Sequence, residues 1–191
     1  MSQVVHNFTV SVPHWSPYIK PVELETASQE QLDAMKVTPS SKKISEYVLT
    51  LAHDPESLAV RSPLFNAIMY GRAGLPPAER ELGAIGSSIV NRCVYCAAVH
   101  GARYNQLTKS TELVAKIFAD ETEAQLDERS QALFDFAVEL AKSPPSLKAQ
   151  HTNALKELGF DTLGVVDLVL ATAIFGWANR LMHVLGEPVK I

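Results

Sequence analysis

The chain lacks the features that would tie it to nucleic acid, to the cell exterior or to a membrane. It has 17 basic and 21 acidic residues, a net charge of −4, whereas nucleic-acid-binding proteins usually show a basic excess. Its two cysteines are too few for the disulfide framework of a small secreted protein. The most apolar run spans only residues 168–178, whereas a membrane-spanning helix needs about 20 residues.

The sequence also shows little sign of a signal peptide, a flexible linker or β-strands. No basic region followed by an apolar stretch opens the sequence, so we predict no signal peptide and a cytoplasmic protein with neither membrane nor nucleic-acid partners. The 9 glycines and 11 prolines among 191 residues are too few for a linker-like chain. No run of alternating β-branched residues is bounded by Asn-Gly or Asp-Gly turns, which argues against a β-sheet protein.

Apolar residues recur instead at helical spacing through most of the chain. One clear case joins Leu133, Phe136, Ala137 and Leu140, which lie on one face of a helix. Similar patterns before and after this segment predict an all-α fold, a multi-helix bundle of roughly seven to nine helices.

The N-terminal segment differs from the rest of the chain. Three prolines recur at every fourth position over residues 13–21, which forbids a continuous helix there. We therefore predict an extended arm over residues 1–25 and a single all-helical domain over residues 26–191. The large apolar side chains of the arm, Trp15 and Tyr18, would pack on their own domain or on a neighbouring subunit, and we favour a subunit boundary as their place.

A faint internal repeat appears when the chain is shifted by 83 residues. Two cysteines and a histidine then fall on three residues of a later apolar segment: Cys93, Cys96 and His100 on Gly176, Asn179 and His183. The match favours a duplicated helical unit whose first copy holds the chemistry. Chance similarity between two apolar helices explains it equally well.

The two cysteines, Cys93 and Cys96, are the most informative residues. Asn91 is a plausible N-cap, which would place Cys93 in the first turn of a helix. Unpaired backbone N–H groups and the helix dipole favour a thiolate there. Because the thiolate is the nucleophile and the two sulfurs lie one turn apart, the spacing predicts a reactive dithiol that can close to a disulfide.

Two further residues, His100 and Glu81, complete a candidate proton relay. His100 follows Cys96 by four residues, on the same helical face, and could accept the Cys96 proton directly or through a water. Glu81 could orient or charge that imidazole. On one unbroken helix, however, Glu81 and His100 would lie about 28 Å apart. The relay therefore requires a sharp break in the helix near residues 91–93.

Other uses of a Cys-x-x-Cys pair fit the sequence less well. In a zinc site His100 would be the third ligand and His53, His151 or His183 the fourth. Structural zinc usually shows a second Cys or His pair at close spacing, and the sequence has none. Covalent haem attachment needs a histidine directly after the second cysteine, where this chain has Ala97. We therefore predict neither a metal nor another cofactor.

The segment from Glu81 to His100 resembles the alkylhydroperoxidase D group of the carboxymuconolactone decarboxylase superfamily. The shared pattern is a glutamate, a cysteine twelve residues later, and then Cys-x-x-Cys-x-x-x-His. The longer layout is similar to the branch called peroxidase-related proteins, with Leu-Ala-His-x-Pro-Glu at residues 51–56 and Asn-x-Cys-x-Tyr-Cys-x-x-x-His at residues 91–100. The similarity covers nearly the whole chain after the N-terminal arm.

The resemblance implies an all-α homo-oligomer, a trimer, hexamer or dimer, with dithiol peroxidase activity toward organic hydroperoxides or hydrogen peroxide. It assigns the peroxidatic sulfur to Cys96, the resolving sulfur to Cys93, and the proton relay to Glu81 and His100. It further implies an external dithiol reductant of the lipoyl or thioredoxin-like type.

One position departs from the best-known hydroperoxidases of the group, which have a histidine between the cysteines. Here that residue is Tyr95, and a phenol with a pKa near 10 is a poor base at neutral pH. Tyr95 would position a water or a peroxide rather than relay protons. Two alternatives therefore stay open: a general thiol–disulfide oxidoreductase, and a redox-sensing helical oligomer without significant peroxidase activity.

Overall fold

The computed structural model describes residues 3–38, 40 and 44–190, and α-helices dominate this part of the chain. In chain order the helices are α1 (Gln29–Met35), α2 (Glu46–Leu51), α3 (Pro55–Tyr70), α4 (Pro77–Val90), α5 (Val94–Thr108), α6 (Glu112–Asp120), α7 (Glu128–Ala141), α8 (Ala149–Glu157) and α9 (Thr162–Leu185). Short 3₁₀ turns occupy Leu24–Thr26 and Glu121–Glu123. The predicted all-α fold is confirmed. The first two residues of the arm and the last residue of the predicted domain lie outside the described part.

Local sequence explains where many of these helices begin. Five of them follow a serine or aspartate whose side-chain oxygen accepts a backbone N–H three residues further on: Ser28, Ser45, Asp54, Asp127 and Asp161. Such N-caps satisfy a donor that the first helical turn leaves unpaired. At Ser28 the side chain of Gln31 also accepts the Ser28 N–H, which completes a capping box.

Helix α4 is the centre of the fold and packs against α5, α7 and α9. Every side chain from Arg80 to Ile89 is buried. Gly86 permits the close approach of α7, because a Cβ atom there would lie 2.7 Å from the Cβ of Ala137. The helix that holds Glu81 is thus fixed on three sides.

Helix α9 is apolar and long enough, by length and composition alone, to cross a membrane, with a mean hydropathy of 1.5. Half of its most apolar stretch is buried inside the fold, however, where α4 and α7 pack against it. A core helix of a soluble protein has the same composition. Under the shift of 83 residues, the break at residues 91–93 pairs with residues 174–176. The repeat is not visible there, because α9 continues through residues 174–176 without interruption.

A small antiparallel sheet joins the two ends of the chain. It consists of β1 (Gln3–Val4), β2 (His14–Pro17) and β3 (Gly186–Lys190), with β3 in the middle. Trp15 is 3% exposed, and its indole N–H donates to the Met182 carbonyl oxygen at 3.3 Å. Trp15 thus packs on its own chain, the first of the two alternatives for the arm. Tyr18 is exposed, and its contact with a neighbouring subunit stays a prediction.

A buried ion pair ties α4 to α9 and to the turn before α4. Arg80 is 1% exposed, and its guanidinium donates to the Asp167 carboxylate at 2.8 Å. It also donates to the backbone carbonyls of Ile68, Ala73 and Leu75. These contacts replace the hydrogen bonds to water that the guanidinium loses on burial, so that each of them is needed to keep the buried cation stable.

We expect Asp167→Ala to lower the free energy of unfolding by about 3–5 kcal/mol, because it leaves the buried Arg80 cation without its counter-charge. Urea denaturation followed by circular dichroism measures the change. Glu121→Ala is the matched control, since Glu121 pairs with Arg92 at 2.5 Å where both side chains are about half exposed. The control should cost less than about 1 kcal/mol, and equal losses in both variants would contradict the prediction.

Candidate active site

The break between α4 and α5 creates the site. Helix α4 ends at Val90 and α5 begins at Val94, with Arg92 in the left-handed region at φ 57° between them. The sharp bend predicted near residues 91–93 is therefore present. Because the bend reverses the chain direction, side chains separated by 19 residues in the sequence can meet.

Asn91 is not the N-cap of α5, and that prediction was wrong. Asn91 is the C-cap of α4, and its side chain donates to the Ser87 carbonyl oxygen at 2.9 Å and faces the Asn179 amide at 3.3 Å. Cys93 occupies the N-cap position of α5 instead. The N-cap of α5 lies two residues later than predicted, because the Asn91 side chain donates its hydrogen bond to the helix before the bend.

Glu81 and His100 are in direct contact across this bend. The imidazole Nδ1 lies 2.5 Å from the Glu81 carboxylate, which is completely buried, and the His100 ring stacks edge-on against Phe175. The other carboxylate oxygen has no hydrogen-bond partner among the described residues; the Arg103 Nε lies 3.9 Å away. Because Nδ1 faces the carboxylate, Nε2 is the atom that can exchange a proton with a reacting group. The predicted relay partners are thus brought together, and their catalytic roles stay a prediction.

The two thiols are free and buried, and a hydrogen bond joins them. The hydrogen bond from the Cys96 side chain lowers the pKa of the Cys93 thiol, helped by the Cys96 backbone N–H and the Asn179 side chain and opposed by burial. The same hydrogen bond, together with burial, raises the pKa of Cys96 well above its usual value. Of the two thiols Cys93 is therefore the one that loses its proton more readily, although the resemblance assigns the attacking sulfur to Cys96.

Tyr95 separates the two sulfurs in the sequence and stays protonated. Burial raises the pKa of its phenol, and negative charge on Cys96 and Glu46 raises it further. A neutral phenol donates a hydrogen bond and does not accept a proton at neutral pH. This agrees with the expectation that Tyr95 positions a ligand rather than acting as a base, a role that stays a prediction.

Cys93 borders a cavity of about 350 Å³ that the N-terminal arm helps to enclose. The walls come from the arm, the start of α5, the end of α9 and β3, and they include Val5, Trp15, Tyr95, His183 and Glu187. Cys96 does not line this cavity. The two sulfurs therefore have different surroundings, because Cys93 faces this cavity and Cys96 does not.

Three residues near the dithiol escaped the sequence analysis. Tyr47 and Arg61 belong to no motif in the sequence, and only the packing of α2 and α3 against the cysteines brings them close. Asn179 donates to the Ser88 hydroxyl at 3.2 Å and interacts with both sulfurs. In the sequence Asn179 appears only opposite Cys96 in the faint repeat, which gave it no role.

The histidines that were considered as fourth zinc ligands are engaged elsewhere. His53 contacts the Lys20 carbonyl oxygen at 2.9 Å, His151 accepts the backbone N–H of Lys148 and His183 contacts the Asn91 carbonyl oxygen at 2.8 Å. Within residues 3–38, 40 and 44–190, no group of three or more His, Cys, Asp and Glu side chains could hold a metal ion.

Comparison with known proteins gives a family match for the part of the chain that holds this site. Residues 55–139 match the carboxymuconolactone decarboxylase family, and they span Glu81, both cysteines and His100. The predicted resemblance is confirmed. No curated protein matches the chain.

Solved structures share the alkylhydroperoxidase D-like fold over most of the chain. The alkylhydroperoxidase AhpD core of a peroxidase-related protein from Ralstonia eutropha JMP134 is 26% identical, with a TM-score of 0.75 over 89% of this chain and 90% of that one. A peroxidase-related protein from Silicibacter sp. TM1040 is 22% identical, with a TM-score of 0.71 over 92% and 94%. The debrominase Bmp8 is 20% identical, with a TM-score of 0.69 over 87% and 89%, so the fold also serves other chemistry.

Proposed function

We propose that the protein is a cytoplasmic dithiol peroxidase that reduces organic hydroperoxides or hydrogen peroxide. The observation that carries the proposal is the contact of the buried Glu81 with His100, on the helix that also holds Cys96. A paired carboxylate and imidazole beside a reduced dithiol can move the proton that thiol chemistry requires. The structural relative from Ralstonia eutropha, a peroxidase-related protein, supports the same activity.

In the oxidative step, the Nε2 atom of His100 accepts the proton of Cys96. The Cys96 thiolate attacks the terminal oxygen of R–O–O–H, the S–O bond forms as the O–O bond breaks, and the alkoxide takes the proton back from His100. Cys96 is then a sulfenic acid. The Cys93 thiolate attacks its sulfur, and the hydroxide leaves as water with a proton from solvent. The lowered pKa of Cys93 favours this role, because it increases the share of thiolate available for the attack.

In the reductive step, an external dithiol of the lipoyl or thioredoxin-like type enters the cavity beside Cys93. One of its thiolates attacks the Cys93 sulfur and releases Cys96 as a thiolate. Its second thiol then attacks the mixed disulfide and leaves Cys93 reduced. The enzyme regains both thiols, and the donor leaves as a disulfide. We also propose that the protein is a homo-oligomer, whose subunit number analytical ultracentrifugation measures.

A second candidate function is thiol–disulfide exchange without peroxide turnover. It is supported by the lowered pKa of Cys93, which lines the cavity, and by the neutral phenol of Tyr95 in place of a relaying group. In this function the Cys93 thiolate attacks a substrate disulfide directly. A redox-sensing oligomer would cycle the same disulfide with no turnover of either kind.

One experiment separates these functions. The purified protein receives dihydrolipoamide together with either cumene hydroperoxide or an aromatic disulfide, and both dithiol and oxidant are followed over time. Peroxide loss equal to dithiol loss, over many enzyme equivalents, is the expected result. Turnover of the disulfide alone would replace the proposed peroxidase by an exchange enzyme.

A further inference from the structure

Two buried hydrogen-bond donors near the dithiol have no role in the proposed chemistry. The Tyr47 side chain on α2 is 8% exposed and packs in one apolar cluster with Cys93 and Cys96. Its hydroxyl and the Nε of Arg61 on α3 are both buried, and neither has a hydrogen-bond partner among the described residues. The Arg61 guanidinium lies 5.8 Å from the centre of the Tyr47 ring and 4.6 Å from that of Phe65.

Unpaired donors of this kind are costly to bury. Both remain donors at neutral pH, because burial raises the pKa of Tyr47 to about 12 and an arginine does not lose its proton. A bound oxygen atom with negative charge would accept from both groups. The placement next to two reactive sulfurs suits an oxygen on which charge develops during the reaction.

Arg61 also connects the dithiol to an open apolar groove of about 620 Å³ between α3 and α9. Apart from Arg61 and two residues at the start of α3, Glu56 and Ser57, the groove lining is apolar. Its aliphatic and aromatic side chains include Val60, Leu64, Leu170 and Trp177, all exposed. Ile68 and Ile174 line the groove and also belong to the cluster that surrounds the cysteines. One wall of the groove is therefore part of the apolar cluster that surrounds the dithiol.

We propose that Tyr47 and Arg61 bind the leaving oxygen of the peroxide and that the groove between α3 and α9 binds its organic group, so that the protein prefers large apolar hydroperoxides to hydrogen peroxide. The inference rests on the proposed peroxidase function. When the Cys96 thiolate forms its bond to the terminal oxygen, the O–O bond breaks and negative charge collects on the oxygen that remains attached to the organic group. The two donors stabilise that charge until His100 returns the proton.

The test compares cumene hydroperoxide with hydrogen peroxide in three variants. Tyr47→Phe keeps the ring and removes the donor, and we expect kcat to fall about 10²-fold for both substrates with little change in KM. Leu170→Gln should lower kcat/KM about 10-fold for cumene hydroperoxide alone, because it makes the groove polar. Leu163→Gln is the matched control on the same helix, since Leu163 is similarly exposed, at 46% against 42%, but lies outside the groove.

A binding measurement supplies a readout that does not depend on turnover. Cumyl alcohol has an oxygen in place of the leaving oxygen, and its binding should quench the fluorescence of Trp177. We expect Arg61→Gln to weaken this binding about 10-fold. If the wild type turns over neither peroxide, the proposed function fails and this inference fails with it.

Other results would overturn this inference and leave the proposed peroxidase function intact. Wild-type activity with unchanged rates in Tyr47→Phe and an unchanged substrate preference in Leu170→Gln would overturn it. A changed sedimentation coefficient in Leu170→Gln with unchanged preference would likewise overturn it, because a second copy of the chain would then cover the groove.

Discussion

Replacing Cys96 by serine is expected to abolish peroxide consumption, by more than about 10³-fold, because Cys96 is the proposed attacking sulfur. Replacing Cys93 by serine should leave one turnover per protein molecule. The Cys96 sulfenic acid would form in that variant, but no second sulfur would convert it to a disulfide. Rapid mixing with cumene hydroperoxide, followed by dimedone trapping and mass spectrometry, measures the sulfenic acid in each variant.

The same pair of variants decides which sulfur attacks. The hydrogen bond between the thiols lowers the pKa of Cys93 and raises that of Cys96, so that the proposed attacker is the thiol that loses its proton less readily. In the proposed mechanism the Glu81–His100 pair overcomes this difference by removing the Cys96 proton. A dimedone adduct on Cys93 in the Cys96→Ser variant, with none on Cys96 in Cys93→Ser, would reverse the proposed roles. The serine substitutions change one atom each, so they serve as controls for one another.

The location of the candidate site could be predicted from the sequence because its chemistry is local. The spacing of Cys93, Cys96 and His100 lies within two turns of one helix, and a helical period fixes their common face. Glu81 required one more step: the distance along an unbroken helix excluded contact, so a bend had to exist. The bend occurs where expected, but the side chain of Asn91 caps the helix before it.

Other parts of the structure depend on contacts between distant segments, and the sequence shows no trace of them. The sheet pairs His14 with Val189 at opposite ends of the chain, through strands too short to show an alternating pattern. Arg80 looks like a solvent-exposed helix residue, yet it is buried because Asp167, 87 residues later, supplies a counter-charge. Tyr47 and Arg61 approach the cysteines through the packing of two other helices. In each case tertiary contacts, rather than local preference, decide the environment of the residue.

Glu81→Gln is expected to lower kcat for peroxide reduction by about 10²-fold, within the range found for general acid–base groups. Glutamine keeps the shape of the side chain and removes the negative charge that faces the His100 Nδ1 at 2.5 Å. The imidazolium that forms when His100 accepts the Cys96 proton then loses its counter-charge in a buried site. KM should change little, because the carboxylate contacts the histidine rather than the substrate. Steady-state kinetics with saturating dithiol measures both constants.

Glu79→Gln is the matched control for this prediction. Glu79 lies two residues earlier on α4, but its carboxylate pairs with the guanidinium of Arg129 at 2.7 Å, away from the dithiol. We expect its kcat to stay within about twofold of the wild type, since a partly exposed ion pair contributes little. Equal activity of the two variants, with both folded by circular dichroism, would remove the carboxylate from the mechanism. The rate of Cys96 alkylation by iodoacetamide adds a direct readout. If the Glu81–His100 pair removes the Cys96 proton, this rate should fall in Glu81→Gln and stay unchanged in Glu79→Gln.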